Sequence, residues 1–232
     1  QTGGGALVDA TTGAVDRTVA AVVGRVKATA QDGSGGLYIG GTFTYVDGQP
    51  RTNLAHILAD GSVDPAWTPT ATANVSANVN AMVLSGSTLY IGGQFTSVSG
   101  TARNNLAAIG TDGSLGSWNP NASSSVLTMA LSGSTLYIGG IFHTIGGVAR
   151  DWVAAIGTDG TLGSWYPTIN SSVEALAVQG SNVYLGGLFT NINGSTRNHA
   201  AAIGTDGTLG SWDPNTNLNV LALTVSGATV YI

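Results

Sequence analysis

One pattern recurs along this chain: an aromatic strand, a Gly-Gly pair, a Phe, a Gly, an Arg, an Ala-rich strand, an Asp-Gly turn, a Trp and a Pro. The paired glycines stand at 40/41, 92/93, 139/140 and 186/187, so successive copies are 52, 47 and 47 residues apart. A period in this range marks a repeat architecture, and each repeat is one supersecondary unit that buries its apolar faces only against its neighbours. The fold is therefore constrained before any single residue is weighed.

Each unit divides into four short runs of alternating apolar residues, the signature of strands rather than helices. Strand A begins at a valine, as in Val79 to Leu84, Val126 to Leu131, Val173 to Val178 and Val220 to Val225, with Val26 to Ala30 as a weaker copy. Strand B is Thr88 to Phe95 and its equivalents. Its two glycines weaken a strand and call for a bulge or the close approach of another backbone. Strand C is Asn105 to Gly110 and its equivalents, followed by Asp-Gly at 60/61, 112/113, 159/160 and 206/207. Asp-Gly between alternating runs is a strong hairpin signal. Strand D is the short run that ends at Trp67, Trp118, Trp165 or Trp212.

Four antiparallel strands in a unit of this length describe a propeller blade. The expected fold is one all-β propeller domain over residues 1–232, with blades at about 26–67, 79–118, 126–165 and 173–212. Residues 1–19 carry strands C and D, and 219–232 carry strands A and B, so the termini are expected to share a composite fifth blade. Sharing a blade removes open sheet edges. The composite blade is defective: Val19 stands at the Trp position, and only Gln1 to Gly5 separate Ile232 from the strand at Ala6. Either that blade is trimmed or the chain is cut from a longer array; five blades is the favoured reading.

The repeat Tyr-Ile-Gly-Gly-x-Phe-Thr-x-Val-x-Gly-x-x-Arg-Asn-x-Leu-Ala-Ala-Ile, followed by Asp-Gly and Trp-x-Pro, resembles the delta-60 family of bacterial β-propeller repeats over about residues 6–232. The resemblance implies a bacterial propeller, commonly secreted or on the cell surface. It implies no shared reaction and no shared set of functional residues. Five-bladed tachylectin-type lectins are similar in period and blade count, as an architectural analogy only.

Residues that recur in every copy belong first to the unit's own structure. Tyr38, Tyr90, Tyr137, Tyr184 and Tyr231, with Phe43, Phe95, Phe142 and Phe189, are read as inter-blade core. Arg51, Arg103, Arg150 and Arg197 precede strand C and face the Trp 15 or 16 residues later, so a guanidinium stacked on an indole is expected. An anion-binding ring of arginines is the functional alternative.

Composition narrows the partners. Only 8% of residues are charged, the net charge is −5, and four of the seven basic residues are the repeat arginines. No basic stripe is left for phosphates, so nucleic acid is not expected as a partner. Cysteine is absent, which removes disulfides and thiolate metal sites. The histidines His56, His143 and His199 occupy three different repeat positions and form no metal-ligand spacing. No hydrolase elbow, phosphate loop, dinucleotide fingerprint or calcium loop appears. No cofactor, no metal and no catalytic residue is expected. The start shows no signal peptide, no apolar run is long enough to span a membrane, and the Lys-poor, Thr/Ser/Asn/Gly-rich surface suits a secreted or cell-surface protein. The sequons at Asn74, Asn121, Asn170 and Asn193 are the chance product of an Asn- and Ser-rich chain.

Function is sought where the copies disagree. The A–B and C–D turns are uniform and lie on one face, whereas the B–C and D–A loops vary and lie on the other. Loops held by a rigid scaffold carry function. The distinctive members of the variable face are Tyr45, Asp47, Asn74 and His143. Asp151, Trp152, Asn191 and His199 complete the candidate set. Trp152 beside Asp151 pairs a surface for a sugar ring with a carboxylate for its hydroxyls; the alternative is a partly buried strand-C residue. The expectation is a non-catalytic structural or adhesive module that contacts other copies or surface proteins, with a glycan-binding lectin second and a propeller hydrolase or lyase third.

Overall fold

In the computed structural model each repeat folds as an antiparallel sheet whose middle strand carries the glycine pair. The structure describes residues 7–8, 11–12, 15–16, 20–73 and 77–232. They fall into two units, Gln1–Ser117 and Trp118–Ile232. In the first unit, Val22–Gln31, Leu37–Val46 and Leu54–Ile57 form one blade, and Asn78–Ser85, Thr88–Gln94 and Leu106–Gly110 the next. In the second unit the blades are Val126–Ser132, Thr135–Gly140, Val153–Gly157 and Val173–Gln179, Asn182–Gly187, Ala200–Gly204. Strand B lies between A and C in all four. The first strand A starts at Val22, four residues ahead of the expected boundary.

The two glycines of strand B answer two separate demands. The second faces a bulge in its own strand A, where the register shifts between Val79 and Ala81 and likewise between Val126/Thr128 and Val173/Ala175. A Cβ on Gly93 would strike the Asn78 carbonyl oxygen. The first glycine is the seat for the following blade: a Cβ on Gly40 would lie 2.6 Å from Val79 Cγ1 and Met82 Cε. Gly139 meets Val173, and Gly186 meets Val220, in the same way. Val79, Val173 and Val220 therefore pack onto the bare backbone of the blade before them.

Trp closes the same joint from the outside. The indole N–H of Trp67 donates to Gly110 O at 3.2 Å, Trp118 to Gly157 O at 3.0 Å and Trp165 to Gly204 O at 2.9 Å, each on the next blade's strand C. Trp67 is 1% exposed and packs with Tyr38, Leu89, Ile91 and Ile109 in one core; Trp165 joins Tyr137, Val183, Leu185 and Ile203 in another. The expected strand D shrinks to single bridges, Ile57↔Val63, Ile109↔Leu115, Ile156↔Leu162 and Ile203↔Leu209. The backbone leaves the ladder within a few residues because the Trp must reach the neighbouring blade.

A second, small sheet was not legible in the sequence. Residues after the Trp add to the next blade's B–C hairpin: Ala71–Thr72 pairs with Ser97–Val98, which pairs with Thr101–Ala102. The bridges Ala122↔Ile145 and Ile169↔Ile192 repeat it in the second unit. The apolar members that face inward are buried, Ala71, Val98 and Ile192 fully so, whereas Thr101 and Ala102 are exposed.

Arg and Trp do not pair as expected. Each guanidinium Nη2 donates to the carbonyl 13 residues on: Asp64 at 2.8 Å, Gly116 at 2.8 Å, Gly163 at 3.0 Å and Gly210 at 3.1 Å. Nη1 donates to the carbonyl just before the arginine. The arginine thus clamps the start of strand C to the remnant of strand D, while the indole meets the strand-B tyrosine at an angle, with ring centroids 5.1 Å apart for Tyr38–Trp67 (54°) and for Tyr137–Trp165 (86°). A fixed fork of donors suits carbonyls that leave the ladder, and this outcompetes stacking.

The terminal strands differ from expectation in part. Thr224–Ser226 pairs with Thr229–Tyr231, and Leu7–Val8 with Val15–Asp16. The last strand A begins at Thr224 rather than Val220, and pairs only over Thr224↔Tyr231, Val225↔Val230 and Ser226↔Thr229. Tyr231, expected in the core, is 57% exposed for want of a strand C beside it in the described sheet. Gln1 to Ala6 and Val19 lie outside the described residues.

The glycine pair makes a graded prediction. Gly93→Ala and Gly40→Ala should each cost about 1–3 kcal/mol in urea unfolding. Gly93→Ala should cost more, because its clash is with main chain whereas part of the Gly40 contact is the mobile end of Met82.

Candidate functional site

The backbone slot that opens strand C has a left-handed conformation in every blade. Asn53 and Asn105 occupy it at φ 65° and 64°. Asn tolerates this region, and its amide replaces main-chain partners. Asn53 Oδ1 accepts from Phe43 N–H at 3.1 Å, and Nδ2 donates to Ala71 O at 2.8 Å. In the second unit Trp152 (φ 68°) and His199 (φ 63°) take the same slot. For a bulky side chain this conformation costs about 1–2 kcal/mol, and an indole offers Phe142 no carbonyl oxygen. A residue held there at a cost points to a role outside the blade's own architecture.

Around Trp152 the structure assembles a polar aromatic patch. His143 Nδ1 lies 2.7 Å from Asp151 Oδ1, and the two side chains are 61% and 45% exposed. The His143 ring meets the Trp152 ring at 4.7 Å and 70°. Tyr166 OH donates to Asp151 Oδ2 at 3.2 Å and accepts from Asp151 N–H at 3.3 Å. The Arg150 guanidinium lies 4.8 Å above the Tyr166 ring. Trp152 itself is half-buried against the blade core. The carboxylate fixes the imidazole through Nδ1 and leaves Nε2 to face outward. Ser123 Oγ accepts from the main-chain N–H groups of His143 and Thr144, so that hydroxyl is turned to the backbone.

Tyr166 was not singled out by sequence reasoning. The signal was present: the middle residue of Trp-x-Pro is Thr68, Asn119, Tyr166 and Asp213 in successive copies. In the last copy Asp213 also meets the arginine of its blade, 3.6 Å from Arg197 Nη1.

The other candidates are dispersed. Asn191 Oδ1 accepts from Gly194 N–H at 3.0 Å, closing its own turn. His199 holds its slot with Nδ1 buried and without a partner. Tyr45 and Asp47 belong to the first unit; Tyr45 is exposed opposite Pro50, and Asp47 (φ 49°) shapes the hairpin and donates its N–H to Ala21 O. Asn74 lies outside the described residues. Among the described residues no group of three His, Asp or Glu is placed to hold a metal, and no helix is long and apolar enough to cross a membrane.

A second cluster, in the first blade, was missed altogether. His56 is buried between two carboxylates, with Nδ1 2.9 Å from Asp64 Oδ2 and Nε2 3.1 Å from Asp32 Oδ2. Its ring stacks on Tyr38 at 4.3 Å. The sequence carried the signal, since His56 and Asp64 replace an Ala and a Gly that hold these positions in the three later copies.

The family model described as a β-propeller domain of unknown function (DUF5122) matches residues 33–66 and 88–115, one stretch in each blade of the first unit. No curated protein matches the chain. With the all-β blades and their antiparallel sheets, the match establishes the fold as a β-propeller built from a propeller-type repeat.

The carboxylates set a direction for acid stability. Bonds from the Ser34 hydroxyl and N–H, from His56 and from Gly36 N–H hold Asp32 far below the usual carboxylate range against the opposing effect of burial. Burial also opposes ionisation of Asp64, but His56 and the N–H groups of Ala66 and Trp67 outweigh it and lower its pKa. Groups depressed in the folded state add stability above their unfolded value of about 4 and lose it as pH falls. The urea midpoint should therefore hold from neutral pH to about 5 and drop below about 4. The double variant Asp32→Asn with Asp64→Asn should start lower at neutral pH and lose less on acidification.

Proposed function

We propose that this chain is a non-catalytic interaction module, secreted or displayed on a cell surface, whose contact site is the patch of His143, Asp151, Trp152 and Tyr166. The observation that carries the reading is Trp152: a large ring occupies a left-handed slot built for Asn, half-buried beside an exposed His–Asp pair. Exposed Ile141 and Val148 belong to the same blade as the patch, and Leu188 repeats the position of Ile141 in the next. Apolar side chains beside an aromatic and charged centre favour a protein surface as the partner, either another copy or a neighbouring surface protein. The narrower resemblance to delta-60 repeats, and five blades with one shared by the termini, fit this role and belong to the same proposal.

A second reading, a glycan-binding lectin, is favoured by the adjacency of Trp152 and Asp151, a ring edge next to a carboxylate with lone pairs to spare. The two readings separate on a glycan array run beside sedimentation of the purified chain. Binding to no sugar class together with concentration-dependent self-association supports the first. A saturable signal for one sugar class, abolished by the same substitution, overturns it in favour of the lectin. Trp152→Asn is the diagnostic variant. Restoring the slot's own residue should raise stability by about 0.5–1.5 kcal/mol through the regained amide bonds, while association is lost. A stability gain with association unchanged would move the contact site elsewhere.

A further inference from the structure

We propose that the first blade contains a binding site for a small planar nitrogen cation, walled by Asp32 and Asp64, with the His56 side chain as its resident ligand. The same place in another blade is open. In the blade of residues 126–165 a cleft of about 340 Å³ opens between the A–B and C–D turns, lined by Ser134, Thr135, Ala155, Asp159 and Gly163 among others. By repeat position Ala155 corresponds to His56 and Gly163 to Asp64, and Asp32 stands in the A–B turn beside them. The first blade has therefore filled this cleft with a ring and placed a carboxylate on either side of it.

The hydrogen bonds already made by the two carboxylates favour a cationic occupant. Asp32 Oδ1 accepts from Ser34 N–H at 2.8 Å and Gly36 N–H at 2.9 Å; Oδ2 accepts from Ser34 Oγ at 2.6 Å and faces His56 Nε2. Asp64 Oδ1 accepts from Ala66 N–H at 2.9 Å, and Oδ2 faces His56 Nδ1. Both carboxylates are held as acceptors by donors other than the histidine. An ionised carboxylate has no proton to give, and the ring form that donates from both nitrogens, and so satisfies both walls, is a cation. Its face lies on Tyr38 at 17° to the ring plane, and Trp67 closes the edge at 6.3 Å and 68°. Two opposed acceptors in the plane of a flat cation and an aromatic ring beneath it constitute a recognition geometry for that class of group. The walls do not depend on the occupant: main-chain and hydroxyl donors hold Asp32, and main-chain donors hold Asp64.

Removing the resident ring should leave a cavity that takes one from solution. His56→Ala is titrated with imidazole and, separately, with pyrazole, a neutral ring of the same size, and the urea midpoint is followed. Imidazole should raise the midpoint of His56→Ala saturably and bind about tenfold or more tighter than pyrazole, the margin of one charge-assisted hydrogen bond. The wild-type chain should not respond. Equal stabilisation by the two rings, or none in a folded His56→Ala, overturns the proposal. Should His56→Ala not fold, the nitrogen-15 spectrum of the wild-type histidines at neutral pH decides. Two protonated ring nitrogens on His56 support the site, and one unprotonated nitrogen removes it.

Discussion

The structure depends on bare backbone at one point per blade. Gly40, Gly139 and Gly186 present no side chain, and Val79, Val173 and Val220 sit on them. Close packing at that point sets the distance between neighbouring sheets, and everything further out is arranged to match. Tyr from strand B and Trp from the strand-D remnant fill the outer part of the same joint, and the indole N–H reaches a carbonyl that also accepts from the N–H three residues on in its own turn. A side chain at the glycine would move every one of these contacts, because interiors at crystal-like density do not absorb an extra methyl group without shifts.

The repeat made the blade legible, and the pair Gly40/Gly41 was legible down to its alternatives: a bulge and a close backbone approach both occur, one at each glycine. The Asp-Gly turns were equally plain, and each turn aspartate accepts from the Ser or Thr two residues on. Contacts that cross from one copy to the next were not. The pairing of Ala71–Thr72 with Ser97–Val98 joins segments with no period-2 signal of their own, since two residues are too few to show one. The arginine was misread for a related reason. Arg103 donates to the main-chain carbonyl of Gly116, a partner that spacing between side chains does not reveal.

The candidate site was legible where copies differ by kind and hidden where they differ by conformation. His143, Asp151 and Trp152 stood out as replacements, and the structure brings them together. Tyr45, Asp47 and Asn191 stood out equally, yet they shape or border turns. No spacing rule announces that position 152 is left-handed. The recurring Asn at 53 and 105 was the available sign, because Asn is the residue that most readily accepts such a conformation after Gly. His56 escaped because its partners come from two different turns, 24 and 8 residues away.

Every inter-blade device runs in one direction along the chain. Gly40 is covered by Val79 and Met82, Trp67 is satisfied by Gly110, and Ala71 is paired by Val98, all of them later residues. A blade emerging during synthesis is thus unfinished until roughly one further repeat has followed it, at about 5–20 residues per second. For several seconds its Trp and its glycine seat face water. The turns, which carry Asp, Ser and Thr, are polar, so the ends of each waiting blade stay hydrated while its successor is made.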